Sequence, residues 1–374
     1  MTCSVSDIIT LVEELAPPGL AEEWDNAGLQ VGSARAEIEK VLISLDVSPE
    51  VLQEARRLGA RLLVCHHPLI FHPLRRLVTD EPGAAMLRDA LLAEVAIYAA
   101  HTSLDASPYG VNAALAGLFE LQDRRPLAEA PPGEAYKLVT FVPIVHVTAV
   151  SAALFAAGAG VIGGYSGCSF QVEGTGTFTP GPGTHPAYGD ASGPNQVKEV
   201  RLEMVVGAKK LDTTIAALLA SHPYEKVAYD LYQLHNPAAA GMGMVGDLPT
   251  PMSLGELVRI CRERLGGPPL RIAGDLSAVA SRVAVCGGSG GGLAAAALRA
   301  GAQVFISGEV GYHQAQEAAA AGMAVIDAGH YHTEWPVVPR LALLLAERAL
   351  EIGLEAEIIV SEVHTCPWID GGGE

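Results

Sequence analysis

A repeated plan of apolar strands and helices, met once near each end, most limits what this chain can fold into. Near the start, a strand from Val41 to Leu45 leads to a helix from Pro49 to Leu58 and a strand from Arg61 to Cys65. A helix from Gly83 to Ala93 and a strand from Val95 to Ala99 follow. Toward the end, strands at Val283 to Cys286, Gln303 to Ile306 and Met323 to Ile326 alternate with helices at Leu293 to Arg299 and His313 to Ala321. Strands at Val41 and Leu62 start 21 residues apart, as do those at Val283 and Val304. Apolar strands alternating with helices imply parallel pairing through right-handed crossovers. Equal spacing in both halves implies a duplicated unit. The fold class is therefore α/β.

In open parallel sheets, ligands collect beyond the carboxyl ends of the strands, and polar residues cluster there. His66 and His67 close one strand, His101 and Asp105 follow another, and His330 and Glu334 follow a third. Imidazole and carboxylate without thiolate is the donor set of a hydrolytic Zn, Mn or Fe site. His66, His67, Asp105, His330 and Glu334 are too many for one open ion, so two divalent ions per chain are expected, with Asp105 and Glu334 available to bridge them. Water on such ions has its pKa lowered to about 7, which points to hydrolysis. His101 is a sixth ligand or a proton shuttle, and His332 falls outside the ligand set. Glu309, in Ser307-Gly308-Glu309, holds in the second repeat the place of the histidine pair and is a candidate acid/base. The glycine run 287–292 reads as a cavity wall or an anion cradle. Arg75 and Arg76 read as phosphate contacts or surface arginines.

At 374 residues the chain exceeds one ordinary domain. Its 49% hydrophobic content supports a large core, and its net charge of −18 argues against a nucleic-acid surface. No apolar run is long enough to span a membrane, and no signal peptide is seen. Six scattered cysteines read as reduced thiols of a cytoplasmic protein. A helix over 4–16 is expected with Ser6 as its cap, then a polar turn over 24–32 packed by Trp24.

The middle differs. Pro126 to Pro132 reads as a loop. Strands at Ala135 to Ile144, near Phe170, at Val197 to Val206 and at Val227 to Leu234 frame helices at Val147 to Ala157 and Lys209 to Ser221. That order, β-α-β-β-α-β, is ferredoxin-like. The expected division is 1–130 and 241–374 for the two halves of a core and 131–240 for an insert, rejoined through a Gly/Met loop from Gly241 to Gly246.

Together, CHHPLIF (65–71), HTSLDASPYGVN (101–112), ISGEVGYH (306–313), GHYHTE (329–334) and the early WDNAGLQVG resemble the Nif3-like dinuclear metal-centre family. In the middle, GGYSGCSF (163–170), EGTGTF (173–178) and HPYEKVAYD (222–230) resemble its long form, whose insert is similar to PII and CutA domains. The resemblance implies a toroidal homohexamer and metal ligands at His66, His67, Asp105, His330 and Glu334, with Glu334 bridging. It also implies a GTP cyclohydrolase 1 type 2 activity, the hydrolytic opening of the imidazole ring of GTP or a related purine, with His101 or Glu309 moving protons. The other expectation is a non-catalytic metal-binding scaffold whose insert senses a ligand.

Overall fold

The computed structural model describes residues 3–129, 135–162, 165–190, 192–234 and 240–369. The chain divides into one compact unit of residues 1–130 and 239–374 and a second of 131–238.

Two sheets organise the first unit. One has the order Glu357–Val360, Lys40–Ser44, Leu62–Cys65, Ala96–Ala99, Gly28–Val31, parallel except for its last pair. The other has the order Arg271–Ala273, Ala324–Asp327, Val304–Ser307, Val279–Cys286, Gly241–Ser253, Gln122–Glu129. Its three inner strands from Ala324 to Cys286 pair in parallel and the rest are antiparallel. Val41 stands opposite Leu62, and Val283 opposite Val304, so the 21-residue spacing corresponds to a shared register.

Alternation along each strand feeds two cores. Val41 and Ile43 pack with helices Val5–Leu15 and Val337–Glu351, while Leu42 faces Pro49–Leu58 and Pro82–Leu92. In the second sheet Val283 and Val285 pack with helix Leu254–Arg264, and Ala284 and Phe305 with Ala294–Arg299 and Tyr312–Ala320. Burial on both faces is why these strands are unbroken apolar runs.

Several local expectations change. The first helix is capped by Ser4, whose side chain and backbone form a capping box with Asp7, so Ser6 lies inside the helix. An acid at the third helical position makes Ser4 the better cap. Residues Gly28–Val31 form an edge strand, and Trp24 is 60% exposed, so it does not pack that segment as a buried anchor. Residues 126–129 belong to strand Gln122–Glu129, while 130–132 lie outside the described residues. The expected loop from Gly241 to Gly246 begins the long strand Gly241–Ser253, flanked on both sides. Its glycines fit that crowded position, since a Cβ at Gly246 would stand 2.6 Å from the Gln122 carbonyl oxygen.

The halves interlock. Gln122–Glu129 pairs with Gly241–Ser253, and the late strand Glu357–Val360 completes the early sheet. The second unit has the antiparallel strand order Tyr229–Leu234, Ala135–Pro143, Asn195–Gly207, Phe170–Phe178. Helices Val147–Ala156 and Leu211–Ser221 supply Val150, Leu154 and Leu218 to its core, against Leu138, Val200 and Leu202. Gly163 and Gly164 lie outside the described residues. Among the described residues no helix is long and apolar enough to cross a membrane.

Candidate metal centre

The polar groups meet beyond the carboxyl ends of the parallel strands of the first unit. Both backbone N–H groups of His66 and His67 donate to the Leu45 carbonyl, at 3.1 and 2.9 Å. This bend ends the strict alternation of the strand, and the two rings come to lie 4.8 Å apart. His101 and His330 each open a short helix, His101–Ala106 and His330–Glu334. Helical residues four apart share a face, and His330 Nε2 lies 3.1 Å from Glu334 Oε1. His101 instead turns Nδ1 to Asp25, at 2.8 Å, while Asp105 Oδ1 lies 3.6 Å from His66 Nε2.

Three overlapping groups result, His66/His67/His101, His67/His330/Glu334 and His66/Asp105/Glu334, each with potential ligand atoms within 4.8 Å of one another. A cation suits the cluster for a specific reason. Both ring nitrogens of His66, Oδ1 of Asp105 and Oε2 of Glu334 are buried without a hydrogen-bond partner. Glu334 Oε2 lies 3.1 Å from His67 Nε2 but is not aligned for a hydrogen bond. Buried polar atoms are ordinarily paired, and His66 Nε2 lies 3.6 Å from Asp105 Oδ1 and 3.7 Å from Glu334 Oε1, a grouping that a divalent ion would satisfy.

The charges follow. Burial raises the Asp105 carboxyl to about 6 against the opposing pull of His66. Burial also works against ionised Glu334, but His66 and the other imidazoles outweigh it and hold its pKa well below the usual range. For His67 burial disfavours the cation, yet Asp46 and Glu334 push the ring up to about 10. Glu334 raises His330 to about 9, over the opposition of burial. Without metal, protons occupy sites that ions would take.

Two positioning carboxylates are absent from the sequence reading. Asp46 accepts from His67 Nδ1 at 2.7 Å and from the Thr365 hydroxyl. Asp25 receives His101 Nδ1 and the Thr102 N–H, at 2.8 and 3.0 Å. Such partners fix which ring nitrogen faces a metal. Asp46 sits just past a strand end and Asp25 inside WDNAG, so their positions were visible but their partners, 21 and 76 residues away, were not. Glu309 accepts from His330 Nδ1 at 3.0 Å and from the Ser289 hydroxyl, so it orients a ring of the cluster. His332 points elsewhere, with Nδ1 3.2 Å from the Leu265 carbonyl.

The glycine run is a wall of this site. Its N–H groups are committed, Gly287 to Asn112, Gly288 to Thr333 and Gly291 to the Glu309 carbonyl, which leaves little for an anion cradle. A Cβ at Gly288, where φ is +61°, would stand 2.0 Å from Glu334 Oε1. Arg75 is exposed, and Arg76 is engaged by Glu81 at 3.1 Å.

Fold and site together define an α/β protein with a buried histidine–carboxylate cluster able to hold divalent ions. Residues 3–367 match the Duf34/NIF3 (NGG1p interacting factor 3) family, and the chain belongs to it. A relative from Halalkalibacterium halodurans, named GTP cyclohydrolase 1 type 2 homolog, is 39% identical across 96% of this chain and 97% of its own. The Bacillus subtilis protein of the same name is 38% identical over the same shares. The crystal structure of a Bacillus cereus protein related to NIF3 superposes with a TM-score of 0.86 at 38% identity, covering 99% of both chains.

Proposed function

We propose that this protein is a dinuclear metal-dependent hydrolase acting on a purine nucleotide, GTP or a close relative, and opening its imidazole ring. The observation that carries the reading is the set of orphaned, buried donor atoms on His66, Asp105 and Glu334. With His67 and His330 they would hold the ions from both sheets, five side chains in all, of which Glu334 is the carboxylate suited to serve both ions. Two divalent ions of the Zn, Mn or Fe kind would there supply Lewis acidity and lower the pKa of water. The chain's residues do the rest. Asp25 fixes Nδ1 of His101, which leaves Nε2 toward the cluster to take or return a proton. Glu309 holds Nδ1 of His330, which aims Nε2 at the cluster, and its carboxylate is the second candidate acid/base. A first water adds to C8 of the imidazole ring and the C8–N9 bond breaks, leaving a formamide, and a second water hydrolyses that amide to formate and a free amine.

The names of the relatives favour GTP, and so does an aromatic edge. Trp24 and Phe71 are exposed, 5.9 Å apart, and both lie near 6 Å from the His101 ring. Asn26 and Gln30 donate to the Ile70 carbonyl, and Gln30 also accepts from the Ile70 N–H, clamping Phe71 beside Trp24. Exposed aromatic faces suit a planar base. The proposal extends to a ring-shaped homohexamer, a PII/CutA-like insert and a cytoplasmic setting. The described cysteines are all free, as the last requires.

The test incubates metal-loaded protein with GTP and follows formate and ultraviolet absorbance beside Glu334→Ala. Turnover confined to the wild type is expected. Equal signals from the two proteins would defeat the hydrolase reading.

A further inference from the structure

The second unit contains a cavity that the metal chemistry does not use. Odd-numbered positions of strand Asn195–Gly207, such as Glu199 and Arg201, lie opposite the core face built by Val200, Leu202 and Met204. A sheet face without helices needs some other cover. Here residues 179–188, with Tyr224 to Ala228, line a half-open cavity of about 720 Å³ against the sheet. That is the size of a small-molecule site. The motifs EGTGTF and HPYEKVAYD, far apart in sequence, both line it.

Glu199 is the chemically decisive lining residue. It is only 8% exposed, and Tyr224 donates its hydroxyl to Oε1 at 2.5 Å. Its other oxygen lies over Gly176, where a Cβ would stand 2.1 Å away. A side chain at Gly176 would thus expel the carboxylate, whereas a Cβ at Gly174 would meet nothing within 4 Å and marks open cavity space. Phe141, Phe178, Tyr188 and Tyr224 supply aromatic wall.

The other lining charges are largely accounted for. Arg201 donates to Glu203 at 2.7 Å and sits 5.9 Å over the Phe141 ring, and Glu225 accepts the His185 N–H at 3.0 Å. On this face Glu199 and Glu225 balance Arg201 and Lys226, since Glu173 stands opposite Val200 and so belongs to the other face of the sheet.

We propose that this cavity is a binding site for a small planar organic cation, an amidinium, guanidinium or protonated amino-heterocycle. Glu199 receives its N–H groups, and the aromatic walls take its face. Carboxylates form their strongest hydrogen bonds with such cations, and aromatic faces attract them. The site is independent of the metal centre, so neither stands or falls with the other.

The test uses the full chain and three near-isosteric probes, benzamidine, benzamide and benzoate, titrated by calorimetry. Benzamidine is expected to bind at least about tenfold more tightly than either, and Glu199→Gln to abolish that preference. Hydrogen exchange should show protection of 173–178 and 222–228 with benzamidine. Gly174→Val, which adds bulk beside Glu199 on the cavity face of the neighbouring strand, should weaken benzamidine binding at least about tenfold. Preference for benzoate, no binding of any probe to the wild type, or protection elsewhere in the chain would overturn the proposal. These readouts stand even where Glu199→Gln fails to fold.

Discussion

Glu334 depends on a residue that has no side chain. The Gly288 backbone passes so close to Oε1 that any Cβ must displace the carboxylate. Gly288→Ala is therefore expected to lose most bound metal, measured by elemental analysis, while Gly292→Ala, whose Cβ would meet nothing within 4 Å, keeps it. Protonation gives a second expectation. His67 and His330 are raised to about 10 and about 9 from 6.5 in the metal-free protein. A raised imidazole pKa contributes stability that is complete below about 6.5 and is lost as pH climbs through 9 to 10. Metal-free protein should therefore lose stability across that window in denaturant titrations. Metal loading near neutral pH should release on the order of two protons per chain, seen by calorimetry in buffers of different ionisation enthalpy. Pairs left intact by metal would give no such release.

Short elements aim the donors. The stretch Asp327–Glu334 joins a buried strand end to a one-turn helix, and Asp327 holds the join by accepting the Val310 and Gly329 N–H groups at 3.1 and 3.2 Å. The His-x-x-x-acid spacing was legible in the sequence as a ligand signature. Its two copies nevertheless act differently. His330 stays with Glu334, whereas His101 is drawn off by Asp25, a residue on the segment before an edge strand. Asp25→Asn should leave the fold in place by circular dichroism and the metal content near that of the wild type, but lower turnover of GTP about 10- to 100-fold, because Asp25 sets which nitrogen of His101 is free to move a proton. Unchanged turnover would take His101 out of the proton path. At the first helix, Ser4→Ala should cost about 1 kcal/mol by denaturant titration and Ser6→Ala much less, because only Ser4 closes the capping box.

Across the whole molecule, the cluster draws donors from both sheets of one interlocked unit, so ions there would brace that unit and not residues 131–238. Chelation should lower the melting temperature of the core transition and leave that of the insert unmoved in calorimetry, since ligands stabilise only the unit that binds them. Residue type and spacing alone were enough for the parallel strands, their shared 21-residue offset and the imidazole–carboxylate signature, because periodicity and strand-end chemistry are local. Long-range packing settled the remainder. It turned the Gly241–Gly246 stretch into a central strand, exchanged strands between the halves, and brought Asp25 and Asp46 to their histidines. It also set Gly288 against Glu334 and built a cavity over Glu199. None of these has a local signature, since each joins groups whose separation along the chain says nothing about their distance in space.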